Sequence, residues 1–228
     1  MREAVFYGAG FPYAPVKELP GRLIVLEGTD GVGRSTQIQM LGEWIQAEGF
    51  GVLDTELAGS GLTKPGLDKA KAGNTLGRLT MSLFYATDFA DRLENQIIPA
   101  LKGGFHVLSD RYFYSIIARN VVRGADPVWS RKMYGFALKP DIIFYLKANV
   151  ETLMTRVVGR GFDYWESGMD IGLADNRYDS FCIYQSRLIE QFDQMADEFG
   201  FITIDANRSE QEVFADIKKH VQSMTDGD

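Results

Sequence analysis

Hydrophobic and polar positions along this chain switch between two periods. Short apolar runs stand at Leu23-Ile24-Val25-Leu26, Val52-Leu53, His106-Val107-Leu108-Ser109, Ile142-Ile143-Phe144-Tyr145-Leu146 and Phe201-Ile202-Thr203-Ile204, each the length of a strand. Between them, apolar residues recur every three or four positions. They do so at Ile38, Leu41 and Ile45, then at Leu79, Leu83, Phe84, Leu93, Ile97 and Ile98, and finally at Val213, Ile217 and Val221. The pattern predicts strands at the five runs and helices over 35–48, 76–101, part of 113–138, 150–158 and 180–199, with one more near the C-terminus. Gly49 ends the first helix, and Pro99 with Gly103-Gly104 ends the second.

Two stretches lack a period. Residues 1–20 hold Gly8, Gly10, Pro12, Pro15 and Pro20, which predicts an irregular arm whose Phe6, Tyr7, Phe11 and Tyr13 pack on the body or on a partner. Residues 58–77 are glycine-rich, with Lys64, Lys69 and Lys71. They predict a loop with a short helix, either lining a substrate mouth or simply solvated. Strands that are apolar throughout and alternate with helices imply a parallel sheet covered on both faces, an α/β fold of three layers. A length of 228 residues suits one domain over 21–228 with a mobile lid at about 159–177.

Charge narrows the partners. Lys and Arg total 24 against 31 Asp and Glu, a formal net charge of −7, which argues against a broad nucleic-acid or anionic-membrane surface. No apolar run approaches the roughly 20 residues that span a bilayer. The N-terminus lacks a basic region followed by an apolar segment, so no secretory signal is expected. The single cysteine, Cys182, fits a reducing cytoplasm and reads as an ordinary apolar helix residue. His106 and His220 have no nucleophile or metal-ligand cluster near them in sequence and read as structural.

The chemistry begins after the first strand of the body. In Gly28-Thr29-Asp30-Gly31-Val32-Gly33-Arg34-Ser35-Thr36 the glycines allow successive N–H groups to converge on an anion at the start of the next helix. The spacing is that of the Walker A phosphate loop, with Arg34 in place of lysine and Ser35 where a hydroxyl completes a magnesium shell. A plain glycine turn between strand and helix is the alternative; the adjoining cation and Ser35-Thr36 favour the phosphate reading. Arginine keeps the charge, but its planar fork is longer than an ammonium, so the exchange is not conservative. Asp110-Arg111-Tyr112 follows a buried strand, at the sheet edge where open α/β folds bind ligands: Asp110 suits magnesium and Arg111 a second phosphate, or the two form a structural ion pair. Arg156 and Arg160 are four apart, hence on one helical face, and Gly161 releases the chain into a lid that brings them over bound phosphates, Arg156 as a cofactor-binding and Arg160 as a catalytic residue; a solvated arginine pair is the alternative.

In combination these motifs resemble the thymidylate kinase family of P-loop nucleoside monophosphate kinases, over roughly residues 21 to 221. The resemblance implies the three-layer P-loop NTPase fold with a short lid, ATP and Mg2+ as cofactors, a nucleoside monophosphate as acceptor, and a homodimer. It places Asp30 near the sugar and phosphate of the acceptor, Tyr85 as a ring stacked on the base, and Asp110-Arg111-Tyr112 with Ser115 as the strand-end signature whose arginine holds the acceptor phosphate. Pro140-Asp141, Arg156, Arg160-Gly161 and Asp163-Tyr164-Trp165-Glu166 resemble the segment running through the lid, without its usual basic member.

Five positions depart from that pattern. Arg34 replaces the loop lysine, and Glu56 in Thr55-Glu56-Leu57 stands where a phosphate-binding arginine is usual. Phe89 after Asp88 replaces a base-reading arginine: either Arg92, one turn on, reaches forward to substitute for it, or Tyr85 and Phe89 form an apolar stacking pocket for the acceptor. Arg119-Asn120 replaces a tyrosine and a glutamine. The expected reaction is ATP-dependent phosphorylation of dTMP to dTDP. The alternatives are a kinase for another nucleotide or phosphorylated small molecule, and a nucleotide-binding regulator that has lost turnover.

Overall fold

A computed structural model describes residues 2–12, 16–73 and 76–225 of the chain. Five parallel strands form its centre: β3 (Leu23–Gly28), β4 (Val52–Glu56), β5 (His106–Asp110), β6 (Ile142–Lys147) and β7 (Ile202–Asp205), in the spatial order β4-β5-β3-β6-β7. The strand that carries the glycine loop is therefore central, and all six of its residues are buried. Its side chains alternate between two apolar layers. Leu23 and Val25 join one with Val107, Ile143 and Tyr145; Ile24 and Leu26 join the other with Leu108, Phe144 and Leu146. Helices α1 (Arg34–Ala47), α7 (Val150–Val157) and α9 (Glu210–Thr225) cover the second layer, while α3 (Arg78–Arg92), α5 (Phe113–Val122) and most of α8 (Arg177–Phe199) cover the first. This is the three-layer α/β architecture the periodicity predicts.

Several boundaries differ from expectation, each for a local reason. The arm is not wholly irregular: β1 (Arg2–Glu3) pairs antiparallel with β2 (Glu18–Leu19). Its aromatics do pack on the body, Tyr7 lying edge-on to Phe113, Tyr114 and Phe199 with its hydroxyl 2.6 Å from that of Tyr114. Tyr13 and Pro15 lie outside the described residues. The loop after β4 contains α2 (Lys64–Gly73), the short helix expected there.

The long helix predicted over 76–101 is interrupted. After α3 come five π-helical residues, Leu93–Ile97, and then α4 (Ile98–Lys102), with Pro99 inside the last segment instead of beyond it. Proline has no N–H and its ring crowds the carbonyl four residues back. The widened turn, in which Ile98 N–H reaches back to the Leu93 carbonyl, accommodates it without ending the helix. Between 113 and 138 there are two helices, α5 and α6 (Pro127–Lys132), parted at Gly124 with φ 90°. Asp126 caps α6 by accepting from Trp129 N–H at 2.6 Å.

A buried charge pair shapes the loop that follows β4. Asp88 on α3 accepts from Ala58 N–H (3.2 Å), Ser60 N–H (3.0 Å), Thr63 Oγ1 (2.8 Å) and Arg92 Nε (2.9 Å). Arg92 also donates to Thr55 Oγ1 at 3.2 Å, and the side chains of both partners are 0% exposed. Truncating Asp88 leaves a buried guanidinium uncompensated. Asp88→Ala is expected to lower unfolding stability by about 3–5 kcal/mol, read from the urea midpoint, whereas Asp91→Ala, which loses the hydrogen bonds from Ser60 Oγ and Asn95 Nδ2 but strands no buried charge, is expected to cost less.

Candidate active site

The glycine loop leaves β3 and wraps the N-terminus of α1. Gly28 has φ 142°, and a Cβ there would fall 2.5 Å from the Leu146 carbonyl; at Gly31, φ 81°, it would fall 2.5 Å from Val157 Cγ2. Neither position admits a side chain, so the loop can fold only with glycine. Gly33 caps α1 with no side-chain hydrogen bond, which leaves the first amides of the helix, including those near Ser35 and Thr36, as donors for an anion. Val32 is buried, and Arg156 braces the loop from behind by donating to the Val32 carbonyl (3.3 Å) and the Ala206 carbonyl (2.9 Å).

Arg34 and Asp110 meet across the loop. Arg34 Nε donates to Asp110 Oδ1 at 2.7 Å, its Nη1 donates to the carbonyls of Gly28 (2.9 Å) and Thr29, and Ser35 Oγ donates to Asp110 Oδ2 at 2.9 Å. Burial pushes the Asp110 carboxyl up, but the charges of Arg34 and Arg111 and the hydrogen bonds from Arg34 and Ser35 outweigh it and hold the group below the usual range. The partner of Asp110 is thus Arg34, not the adjacent Arg111.

Arg111 turns the other way. Its backbone sits at φ 72°, a left-handed conformation that an arginine adopts only at a cost of about 1–3 kcal/mol. In return its N–H donates to the Leu26 carbonyl at 3.0 Å, and its guanidinium reaches the Gly28 carbonyl (2.9 Å), Ser115 Oγ (2.8 Å) and Asp30. Arg119, two turns along α5 from Arg111, donates to Asp30 Oδ1 at 3.0 Å. Burial would raise the Asp30 carboxyl, yet Arg111, Arg119 and Arg34 together hold it well below the usual carboxylate range. Burial and repulsion from Arg34 push Arg111 down to about 10, still protonated at neutral pH.

Behind this cluster lies Glu27, fully buried and accepting from Tyr112 N–H (2.7 Å), Ser115 N–H (3.3 Å) and Ser115 Oγ (2.5 Å). Gln185 on α8 donates to the Glu166 carbonyl at 2.8 Å and lies 3.5 Å from Asp30 Oδ2. Neither Glu27 nor Gln185 is singled out by motif reading. A carboxylate inside an otherwise apolar strand marks the first, and no local signal marks the second.

The acceptor side differs from expectation at two residues. Tyr85 is half-buried, with Lys71 Nζ over its ring at 5.5 Å from the centroid. Phe89 is 0% exposed inside an aromatic cluster with Tyr112 (4.7 Å), Tyr134 and Phe136 (both 5.7 Å), so it belongs to the core and not to the wall of a pocket. Arg92 does not take over base reading from the next turn, because Asp88 and Thr55 hold its guanidinium inside the fold. Nor do Arg156 and Arg160 share a helical face. Helix α7 stops at Val157 and Val158–Arg160 tighten into a 3-10 turn, which carries Arg160 outward to pair with Glu166 at 2.6 Å.

A phosphate loop on the central strand of a parallel sheet, flanked by a strand-end aspartate and two arginines converging on a loop carboxylate, defines a P-loop phosphotransfer protein. Residues 26–217 match the sequence model of the thymidylate kinase family, and the chain belongs to that family. It is 41% identical over 202 residues to probable thymidylate kinase 2 of Saccharolobus solfataricus, covering 87% of this chain and 94% of the relative. It is 30% identical over 207 residues to the probable thymidylate kinase of Thermococcus gammatolerans (86% and 94% covered). With the thymidylate kinase of Halothermothrix orenii it shares 31% over 210 residues (89% and 97% covered).

The two depressed carboxylates give the site an acid limb. An aspartate held below its unfolded value near about 3.9 contributes stability that is present above that pH and is lost as pH falls through the folded value. Stability is therefore expected to drop below about pH 4, and Asp110→Asn is expected to flatten that drop, measured as the urea midpoint against pH. An unchanged acid limb in the variant would show that Asp110 is not held in this way.

Proposed function

We propose that the chain transfers the γ-phosphoryl group of ATP to dTMP, giving dTDP and ADP. The observation that carries this reading is the convergence of Arg34, Arg111 and Arg119 with Asp30 and Asp110 beside a phosphate loop. Phosphoryl transfer needs positioned positive charge, since charge spreads over the phosphate oxygens in the transition state. Three guanidinium groups converge at this edge, held in place by the carboxylates of Asp30 and Asp110.

In this reading the amides of Gly31 to Thr36 hold the donor phosphates and Arg156 secures the loop that presents them. Arg34 lies within reach of the β- and γ-phosphates once it exchanges Asp110 for them. Arg111 and Arg119 hold the acceptor phosphate, Asp30 accepts from the acceptor sugar, and Tyr85 stacks on the base. An oxygen of the acceptor phosphate attacks the γ-phosphorus, the bond from that phosphorus to the bridging β-oxygen breaks, and ADP takes up the electron pair. Arg160, freed from Glu166, supplies charge from the lid, taken here as 159–177. Ser35 and Asp110 fit magnesium: both are hard oxygen ligands, they sit 2.9 Å apart, and Asp110 is held ionised. No group of three or more His, Cys, Asp or Glu side chains that could hold a metal occurs among the described residues. Ser35 and Asp110 would hold magnesium, and the ion would supply positive charge against that developing on the phosphates.

A homodimer and a cytoplasmic setting belong to the same proposal, the first on the resemblance, the second on the lone cysteine. Leu79 and Leu83 project from α3 at 61% and 47% exposure and offer an apolar face for a second copy. Among the described residues no helix is long and apolar enough to cross a membrane.

A competition assay with magnesium-ATP and dTMP, dUMP, dCMP, dGMP and dAMP tests the function. The specificity constant is expected to be highest for dTMP; equal constants across the panel would defeat the thymidylate reading, and no transfer at all would favour a regulator. Arg34→Met is expected to lower kcat by about a hundred- to a thousandfold, the cost of one preorganised donor at developing charge.

A further inference from the structure

The face of α5 that carries Ser115 and Arg119 continues one turn further to Arg123, at the C-terminal cap of the helix. Arg123 spends nearly all its donors on the segment 163–171 and on α8. Nε donates to Asp170 Oδ2 at 2.8 Å, Nη2 to Asp170 Oδ1 and to the Trp165 carbonyl, both at 3.0 Å, and Nη1 to the Tyr184 hydroxyl. The guanidinium carbon also lies 4.9 Å from the centroid of the Tyr184 ring. A planar fork serves a bidentate carboxylate and a neighbouring carbonyl at once, which an ammonium cannot do.

In the kinase reading the segment so held roofs the cleft, since the Gln185 that holds its Glu166 carbonyl also lies 3.5 Å from Asp30 Oδ2. Trp165 Nε1 donates to the Lys71 carbonyl at 3.3 Å, joining it to α2 on the acceptor side, and Gln185 holds the Glu166 carbonyl. The segment is also stapled to itself and to α8. Ser167 Oγ donates to the Asp163 carbonyl at 2.5 Å, Ser180 Oγ to the Ser167 carbonyl at 2.7 Å, and a Cβ on Gly168 would strike the Tyr184 ring at 2.7 Å. The stretch just before it is different: Arg160 is exposed between Gly159 and Gly161, with one carboxylate partner.

We propose that Arg123 is a positioning residue. It fixes 163–171 against α5 and α8, so that Trp165 and Glu166 stay beside the Asp30 cluster, and leaves the stretch around Arg160 as the mobile part of the lid. The contacts alone carry the anchoring; its consequence for catalysis rests on the kinase reading. A roof held in place keeps water from the transferring group and keeps the acceptor in register.

Hydrogen exchange on the free chain, together with steady-state kinetics in magnesium-ATP and dTMP, tests this with Arg123→Met and Arg123→Lys. In Arg123→Met, exchange over 163–171 is expected to quicken by about tenfold or more while β3 and α1 stay unchanged. KM for dTMP is expected to rise about tenfold with kcat changed less than about threefold, and ADP formed to exceed dTDP formed. Arg123→Lys, which keeps the charge without the fork, is expected to resemble Arg123→Met more than the parent. Unchanged exchange over 163–171 overturns the proposal, as does faster exchange spread evenly over α5 and α8, or a fall in kcat with KM intact. Should Arg123→Met fail to fold, Asp170→Asn removes the other half of the fork and is read by the same outcomes. If the parent chain phosphorylates no nucleotide, the kinase reading fails while the exchange measurement still decides the anchor.

Discussion

Asp30 is the point on which the site depends. A buried carboxylate is costly unless opposite charge and donors surround it, and here they arrive from three directions. Arg111 comes from the end of β5 and Arg119 from the middle of α5, while Gln185 approaches from α8. None of these groups can be satisfied unless the loop, the strand end and both helices are in place.

Helix α5 links that cluster to the roof. Ser115, Arg119 and Arg123 lie four residues apart on one face, so one rigid element touches the glycine loop at its start and the segment 163–171 at its end. The buried Glu27 fixes the N-terminus of this helix by taking the amides of Tyr112 and Ser115, where a negative group also opposes the positive end of the helix dipole. Burial raises the Glu27 carboxyl even so, with the Ser115 hydrogen bond and the Arg111 charge pulling against it.

The departures from the family pattern are absorbed in different ways. Phe89, lacking donors, is drawn into the aromatic core beneath α3, where apolar burial stabilises it. Arg92 becomes a structural cation for the loop after β4. Arg34 keeps its charge at the phosphate loop, but its fork spans two loop carbonyls and Asp110, contacts a shorter ammonium could not make together. Of the acceptor-side candidates, Tyr85 and Arg119 are the ones left partly exposed.

What the sequence determined by itself was everything set by local period and spacing. Five apolar runs alternating with helical stripes define the sheet and its two covers, and the glycine spacing after Leu26 defines the loop, because backbone geometry and side-chain alternation act over a few residues. The strand-end Asp110-Arg111 was legible for the same reason. Tertiary structure alone decided which charges meet. Arg34 and Asp110 are 76 positions apart, Arg119 and Asp30 are 89 apart, and Arg123 and Asp170 are 47 apart. It also decided that Phe89 and Arg92 face inward, that Arg160 leaves the helix of Arg156, and that Pro99 is carried through a π turn. Pairing and burial depend on how whole elements pack, and a pattern of neighbours along the chain carries no record of the neighbours across it.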